Sequence, residues 1–393
     1  MTSAGGGQYE QSTKNPCCAE LQPYDRLPIV HFGFLDETLE RWENEGHINR
    51  AELPHIYDGS PSEQKLTEML GFDCNYHNVF SPSVRLEPPF ESKVLEYLPG
   101  GYRKVLNGDG GIVLDSDDNS SIPGAVDHIL KGRAEWDGIF LEKLQYFDDR
   151  VTRAWVNCGG VMKRFDQGGR DYLINPDRQT HILLHCGSLM GVLRDYVGIE
   201  HLSYLPGDDD VLFDEMIEVN ADLCYRCTET ALASGVTFDI GHFWEDICYK
   251  SGPLVNPKMF YNKIGPHYRR ITDLLHRYGV DLVSLDCDGK IDMLVPAFIE
   301  NGVNVMFPIE VGTWGANLRP WREKYGKQIR GVGGMAKRVF GFEREDVDAE
   351  IERLKQLVDM GGFLPCPDHR IAPDAKWENV QYYCDELRRI FGG

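Results

Sequence analysis

Two aspartates one residue apart, Asp286 and Asp288 in VDLVSLDCDG, end the most chemically loaded run of the chain. Alternate residues of an extended strand share a face, so both carboxylates project one way and Cys287 the other. Adjacent carboxylates repel unless they share a proton or a cation, or meet basic groups. A cation, a substrate or a proton-transfer site meets that need, and so does an Asx-turn completed by Gly289. The run CPDHRIAP supplies His369, which can ligate a metal, move a proton or cap the next turn. DIGHFWEDICYKSGP offers His242, Glu245 and Asp246 around Trp244, the make-up of a pocket wall, with Asp246 the better placed of the two acids to cap a turn. Glu310 is the one charge in the apolar run Val303–Glu310, so it requires a cation or Lys337 as its partner. Gly333 and Gly334, followed by Lys337 and Arg338, have the make-up of an anion-binding turn.

These groups need a frame that gathers them, and the C-terminal half has the rhythm of one. Five strand-length apolar runs, Val236–His242, Leu282–Asp288, Val303–Glu310, Ile329–Gly334 and Phe363–His369, alternate with segments of helical periodicity. Such alternation predicts parallel strands with crossover helices, all strand C-termini pointing one way. In a (β/α)8 barrel, an α/β fold, that rim is where residues distant in sequence meet. Leu27–Phe34 reads as the first strand and Asp36–Glu45 as a helix with Asp36 as N-cap. His181–Gly187 reads as a further strand, with helices at Met190–Tyr196, Val211–Ala233 and Trp377–Ile390. Ser92–Ser116, broken by Pro99-Gly100-Gly101 and Asn107–Gly111, predicts an antiparallel β-meander inserted beside the rim.

At 393 residues and 42% hydrophobic the chain can bury one large core, and no linker divides it, so residues 21–393 read as one barrel domain after a frayed tail over residues 1–20. A formal net charge of −21 argues against nucleic acid and anionic membrane as partners. No apolar stretch is long enough to span a bilayer. The 11 cysteines are scattered, and Cys224 and Cys227 form a CxxC inside a helical run, where thiols pack as small hydrophobes. A reducing, cytoplasmic setting is the expectation.

The segments HFWEDICYKSGPLVNPKMF, VSLDCDG, GVNVMFPIE, REKYGKQIRGVGGMAKR and GGFLPCPDHRIAPDAKWEN resemble the uroporphyrinogen decarboxylase superfamily, in particular its branch of decarboxylase-like bacterial members. The resemblance runs from Leu27 to the C-terminus and is densest after His185. It implies a (β/α)8 barrel with its active site at the C-terminal rim. True uroporphyrinogen decarboxylases hold their substrate's carboxylates with an N-terminal Arg-Gln-Ala-Gly-Arg segment; here HFGFLDET stands at His31–Thr38. The methyltransferase branch, which moves methyl groups between corrinoid proteins and thiols, uses a His-x-Cys…Cys zinc site. The resemblance places Asp286, Asp288 and His369 at those positions, keeping the spacing and changing the ligands. Two carboxylates and an imidazole suit zinc with oxygen ligands or another divalent metal, or they hydrogen-bond a substrate with no metal at all.

The resemblance therefore implies a methyltransferase taking a methyl group from a small methoxy or methylamine compound to a separate corrinoid protein. Asp286, Asp288 and His369 would hold a divalent cation, zinc first, or polarise the substrate. Glu310, Glu245 and His242 would support them, with Trp244, Gly333, Gly334 and Lys337 against the substrate; a homodimer is expected. The alternative is a carboxy-lyase acting on a porphyrinogen-like or smaller carboxylate, with Asp288 stabilising a cationic intermediate and His369 donating the proton. A ligand-binding barrel without turnover is the third reading.

Overall fold

The computed structural model describes residues 26–116, 124–175 and 181–392; the tail, with Cys17 and Cys18, lies outside the described residues. Its centre is a sheet of seven parallel strands: β3 (Val79–Phe80), β4 (Leu183–Gly187), β5 (Ile240–Trp244), β6 (Leu282–Asp286), β7 (Val305–Ile309), β8 (Arg330–Met335) and β9 (Phe363–Pro367). They lie side by side in sequence order. Two more, β1 (Val30–His31) and β2 (Cys74–Asn75), form a parallel pair. Three residues join β2 to β3, and Phe34 bridges Ile371 just past β9, so the pair is tied to both edges of the sheet. The fold is thus α/β with a parallel sheet.

The sequence explains the strands. Runs such as VMFPI and FLPCP are buried throughout, as strands covered on both faces must be. Helices Asp210–Ala233, Gly265–Arg277, Val295–Glu300, Leu318–Tyr325 and Arg344–Val358 cross between successive strands, and Trp377–Phe391 follows the last. Both CxxC thiols are buried in the first of these, and the nine described cysteines are free.

Several expectations move: the first strand, expected over Leu27–Phe34, is only Val30–His31, and the one expected to reach Asp288 ends at Asp286. The strand expected from Val236 starts at Ile240, because Asp239 uses its side chain to accept the Ile182 N–H (2.8 Å). Asp36 is not the N-cap: Leu35 holds that position, and Asp36 and Glu37 fill the first turn of the helix Asp36–Asn44. Carboxylates there still favour the positive end of the helix dipole.

The meander is present as a four-stranded antiparallel sheet of Lys93–Tyr97, Tyr102–Leu106, Gly111–Ser116 and Ala125–His128. With short helices and the hairpin Trp155–Arg164 it fills the long connection from β3 to β4. Arg150, 1% exposed, anchors this connection. Its guanidinium donates to the carbonyls of Gln145 (2.8 Å), Ser83 (2.9 Å), Arg85 (2.7 Å) and Lys143 (2.5 Å). Charged donors to buried carbonyls contribute about 1.5–3 kcal/mol each. Arg150→Ala is expected to cost about 3 kcal/mol or more in urea unfolding and to open the insertion to limited proteolysis; unchanged proteolysis would mean the insertion is held elsewhere.

His31 ends β1 fully buried. The Gly33 N–H donates to its Nδ1 (2.9 Å), so Nε2 carries the proton and donates to Thr67 Oγ1 (2.8 Å). Burial lowers its pKa from 6.5 to about 3. The folded ring stays neutral where the unfolded one charges, so its stability contribution is complete above pH 6.5 and is lost as pH falls toward 3, at about 1.4 kcal/mol per pH unit. His31→Gln should therefore flatten the pH dependence of unfolding free energy between pH 6.5 and 5 by about 2 kcal/mol; an unaltered slope would acquit this ring.

Candidate metal and active site

Strand register builds the site. Across β4, β5 and β6, His185 pairs with His242 and His242 with Ser284. Two residues on, Trp244 pairs with Asp286, and Asp286 with Phe307 of β7. Residues two apart share a face, so His242, Ser284, Trp244 and Asp286 occupy one surface in two tiers. His77, between β2 and β3, joins from across: its Nε2 lies 3.3 Å from Nε2 of His242. The His242 Nδ1 is hydrogen-bonded to Ser284 Oγ (2.7 Å). Burial holds the pKa of His77 down at about 4, that of His185 at about 3, and that of His242 well below its ordinary value. All three imidazoles are therefore neutral, with lone pairs to offer.

The carboxylates meet these rings. Ligand atoms of His77, His242 and Asp286 lie within 4.8 Å of one another, and so do those of Asp246, Asp286 and Asp288. Asp286 is 7% exposed. Burial, then the charges of Asp246 and Asp288, push its carboxyl well up. Burial also raises Asp246, whose carboxylate accepts the Asp288 N–H (3.0 Å) rather than capping its own turn. His369 Nε2 sits 3.5 Å from Asp288 Oδ2. Its Nδ1 accepts the Arg370 N–H (2.8 Å), which leaves the proton on Nε2. Asp286 and Asp288 thus come together as the sequence implied; His369 reaches Asp288 but falls outside both clusters of potential ligands, where His77 and His242 stand instead.

Glu245 is otherwise engaged. It accepts the N–H groups of Leu189 (2.7 Å), Met190 (2.9 Å) and Gly191 (2.6 Å), the Ser188 hydroxyl (3.2 Å) and the Tyr268 hydroxyl. These are the unpaired donors at the start of the helix Gly191–Val197. Gly191 permits the approach, since a Cβ there would lie 1.9 Å from the Glu245 carbonyl oxygen. Burial raises the pKa of Glu245, and the Tyr268 and backbone donors oppose it. Removing the carboxylate strands several buried donors, so Glu245→Ala should cost about 3–5 kcal/mol, read as a fall in Tm, while metal content per folded chain stays unchanged. Full stability with lost activity would return Glu245 to the chemistry.

Glu310 accepts from the Gly289 N–H and Thr313 Oγ1 (2.8 Å), not from Lys337. Burial raises its pKa. The Lys337 ammonium donates to the Arg370 carbonyl (2.8 Å), and burial lowers its pKa. Gly333 and Gly334 are not an exposed anion-binding turn: both are buried inside β8. Gly333 has φ +111°, and a Cβ on it would lie 2.5 Å from the Ile309 nitrogen. The guanidinium groups of Arg85 and Arg194, both bound to Asp195, lie 5.4 and 5.5 Å from the Trp244 ring centroid.

Sequence reading passed over His77 and His185. His185 carried a usable signal, ending HILLHCG as His242 ends its own strand. A cleft of about 500 Å³ beside the helix Pro61–Leu70 and the hairpin Trp155–Arg164 reaches His77 from outside.

No protein-family model matches the sequence, and no curated protein does. Among solved structures the chain is similar to a methyltransferase from Methanosarcina mazei, at 12% identity and a TM-score of 0.59, over 98% of this chain and 100% of that one. It is more distantly similar to a B12-independent methionine synthase from a Shewanella species in complex with selenomethionine (12% identity, TM-score 0.37, 59% of this chain and 70% of that one). A Listeria monocytogenes protein described as a vitamin-B12-independent methionine synthase gives 10% identity and a TM-score of 0.42, over 95% of this chain and 100% of that one. The likeness to the methanogen enzyme is one of fold: an α/β chain with a parallel sheet. No described helix is long and apolar enough to cross a membrane.

Proposed function

We propose that this chain is a methyltransferase of the uroporphyrinogen decarboxylase superfamily, built on a closed (β/α)8 barrel, with a divalent cation held by His77, His242 and Asp286. Interior packing supports the closure. Phe32, following β1, and Tyr76, following β2, both pack on Phe307 of β7, with ring centroids 4.7 and 4.8 Å apart. Backbone bonds from Tyr76 N–H to His31 O (2.9 Å), Leu183 N–H to Asn78 O (2.9 Å) and Ile371 N–H to Gly33 O (3.1 Å) continue the ring of strands. The whole-length fold likeness to a methyltransferase supports the reaction class.

The observation that carries the reading is one buried carboxylate facing two neutral imidazoles. Nitrogen ligands about 2.0–2.1 Å from a tetrahedral zinc ion stand about 3.3 Å apart, and the two Nε2 atoms are 3.3 Å apart. Ser284 orients His242 through its other nitrogen, as outer-shell partners of metal ligands do. The donor set, two nitrogens and an oxygen, fits zinc first. Bound there, the cation would supply Lewis-acid activation.

The chain's own groups do the rest. His369 presents its Nε2–H beside Asp288, where it can donate a hydrogen bond to the oxygen or nitrogen that leaves when the methyl group departs a small methoxy or methylamine donor, the proton itself coming from solvent. Asp288 holds that imidazole in place. Trp244, packed near the guanidinium groups of Arg85 and Arg194, would line the site beside Asp286. The open rim is the surface on which a corrinoid protein would dock to receive the methyl group. A carboxy-lyase is the second reading, favoured by Asp286 itself: a buried carboxyl driven toward its protonated form is also a proton donor.

Protein purified without chelators should retain zinc, and His242→Ala and Asp286→Asn should lose it. With a corrinoid protein and a methylated donor, methylcobalamin should form, and the rate should fall about a hundred-fold or more in either variant. Metal-free wild-type protein releasing CO₂ from a carboxylate without any corrinoid would put the lyase in its place.

A further inference from the structure

We infer that the rim holds a second divalent cation, on Asp246, Asp286 and Asp288, with the Asp286 carboxylate bridging it to the first. The inference rests on the cation proposed for His77, His242 and Asp286, and adds to it a position of different chemistry. Two sets of three ligand atoms, each within 4.8 Å, have Asp286 in common. A carboxylate has two oxygens, and one that belongs to two clusters can give one to each. Carboxylate-bridged ions in two-metal sites stand about 3.5–4 Å apart.

Asp286 is the second, independent sign. It is 7% exposed, and no hydrogen bond or ion pair reaches its carboxylate among the described residues. The buried Glu245 nearby collects five donors, so the local backbone can satisfy a carboxylate where structure alone requires it. Asp286 is left open on the side where Asp246 and Asp288 stand. Asp246 is held there in the left-handed region, at φ +46°, a conformation that costs free energy in a residue other than glycine and recurs at functional sites. Arg194 binds the Asp246 carbonyl rather than its carboxylate.

The charges of Arg370 on Asp286 and of Arg194 on Asp246 temper the cluster, and His369 stands beside Asp288. The two positions also select differently: two imidazoles and a carboxylate suit zinc, whereas three carboxylates suit a hard cation such as magnesium or manganese. Asp246 and Asp288 are only partly buried, so the second ion keeps coordination positions facing the open rim. An oxygen of the substrate, whether alkoxy, hydroxyl or carboxylate, would complete its shell, which makes oxygen-bearing methyl donors the favoured class.

Manganese titrated into chelator-stripped full-length protein tests this without reference to turnover. Wild-type protein should bind about two ions per chain and show the exchange-coupled paramagnetic resonance spectrum of a bridged pair. Asp246→Asn, which leaves the first cluster intact, should bind about one ion and show the hyperfine pattern of isolated manganese. Saturation of wild-type protein at one uncoupled ion overturns the inference and leaves the proposed methyltransferase standing. Binding of neither manganese nor zinc removes both. Because the wild-type count decides, a variant that fails to fold does not protect the idea.

Discussion

A carboxylate buried without a hydrogen-bond donor is the constraint around which this molecule is arranged. Taking an ionised carboxyl out of water costs several kcal/mol unless a proton, a cation or a set of donors compensates. No hydrogen-bond donor among the described residues reaches the Asp286 carboxylate; the charges of Asp246 and Asp288 increase the cost and that of Arg370 offsets part of it. Folding supplies that cost from elsewhere: strands buried on both faces, and an aromatic interior in which Phe32 and Tyr76 share Phe307. Neutral His77 and His242 stand against the carboxylate as lone-pair donors and not as counter-charges. Such a set leaves an electrostatic demand that a proton on Asp286 meets in part and that the proposed cation would meet.

Glu245 shows that the demand is local. It follows β5, the strand paired with that of Asp286, is fully buried, and donates its N–H to the Asp286 carbonyl (2.8 Å), yet its carboxylate is surrounded by the N–H groups of a helix start and by two hydroxyls. Its work is to pin that helix, and the segment Leu189–Gly191, against the end of β5. Trp244 and Asp246 on either side therefore project from a fixed backbone. One carboxylate is consumed so that the groups flanking it keep their positions, and the left-handed Asp246 depends on that anchoring.

Much of this was legible in the residues. The parallel strands announce themselves because strands covered on both faces must be continuously apolar, and their polar ends mark one rim. Strand alternation put Asp286 and Asp288 on one face; the strand ends at Asp286, and Asp288 comes beside it from the following loop. His77 gave no such signal, because its strand is two short pieces around Tyr76–Asn78, too brief for any period to show. The role of Glu245 was hidden because its backbone donors come from residues more than fifty positions away. Gly333 and Gly334 misled because a glycine pair serves equally for an exposed turn and for close packing of buried strands, and only the neighbouring Ile309 backbone separates the two.

The positive charges at the rim narrow the chemistry further. Arg370 is committed to a two-pronged pair with Asp58. Arg85 is held by Asp109 and Asp195, and Arg194 by Asp195 and the Asp246 carbonyl. Lys337 is turned to the Arg370 carbonyl, and burial disfavours its charge. An enzyme for a substrate with many carboxylates needs guanidinium groups free to meet them, in forked pairs where possible. Here the guanidinium groups near the rim are spent on the protein's own acids and carbonyls, and the surplus charge at its centre is negative. On the proposed reading a substrate would be neutral or cationic, or would reach the carboxylates through the proposed cation, a condition that small methylated donors meet better than a porphyrinogen carrying eight acids.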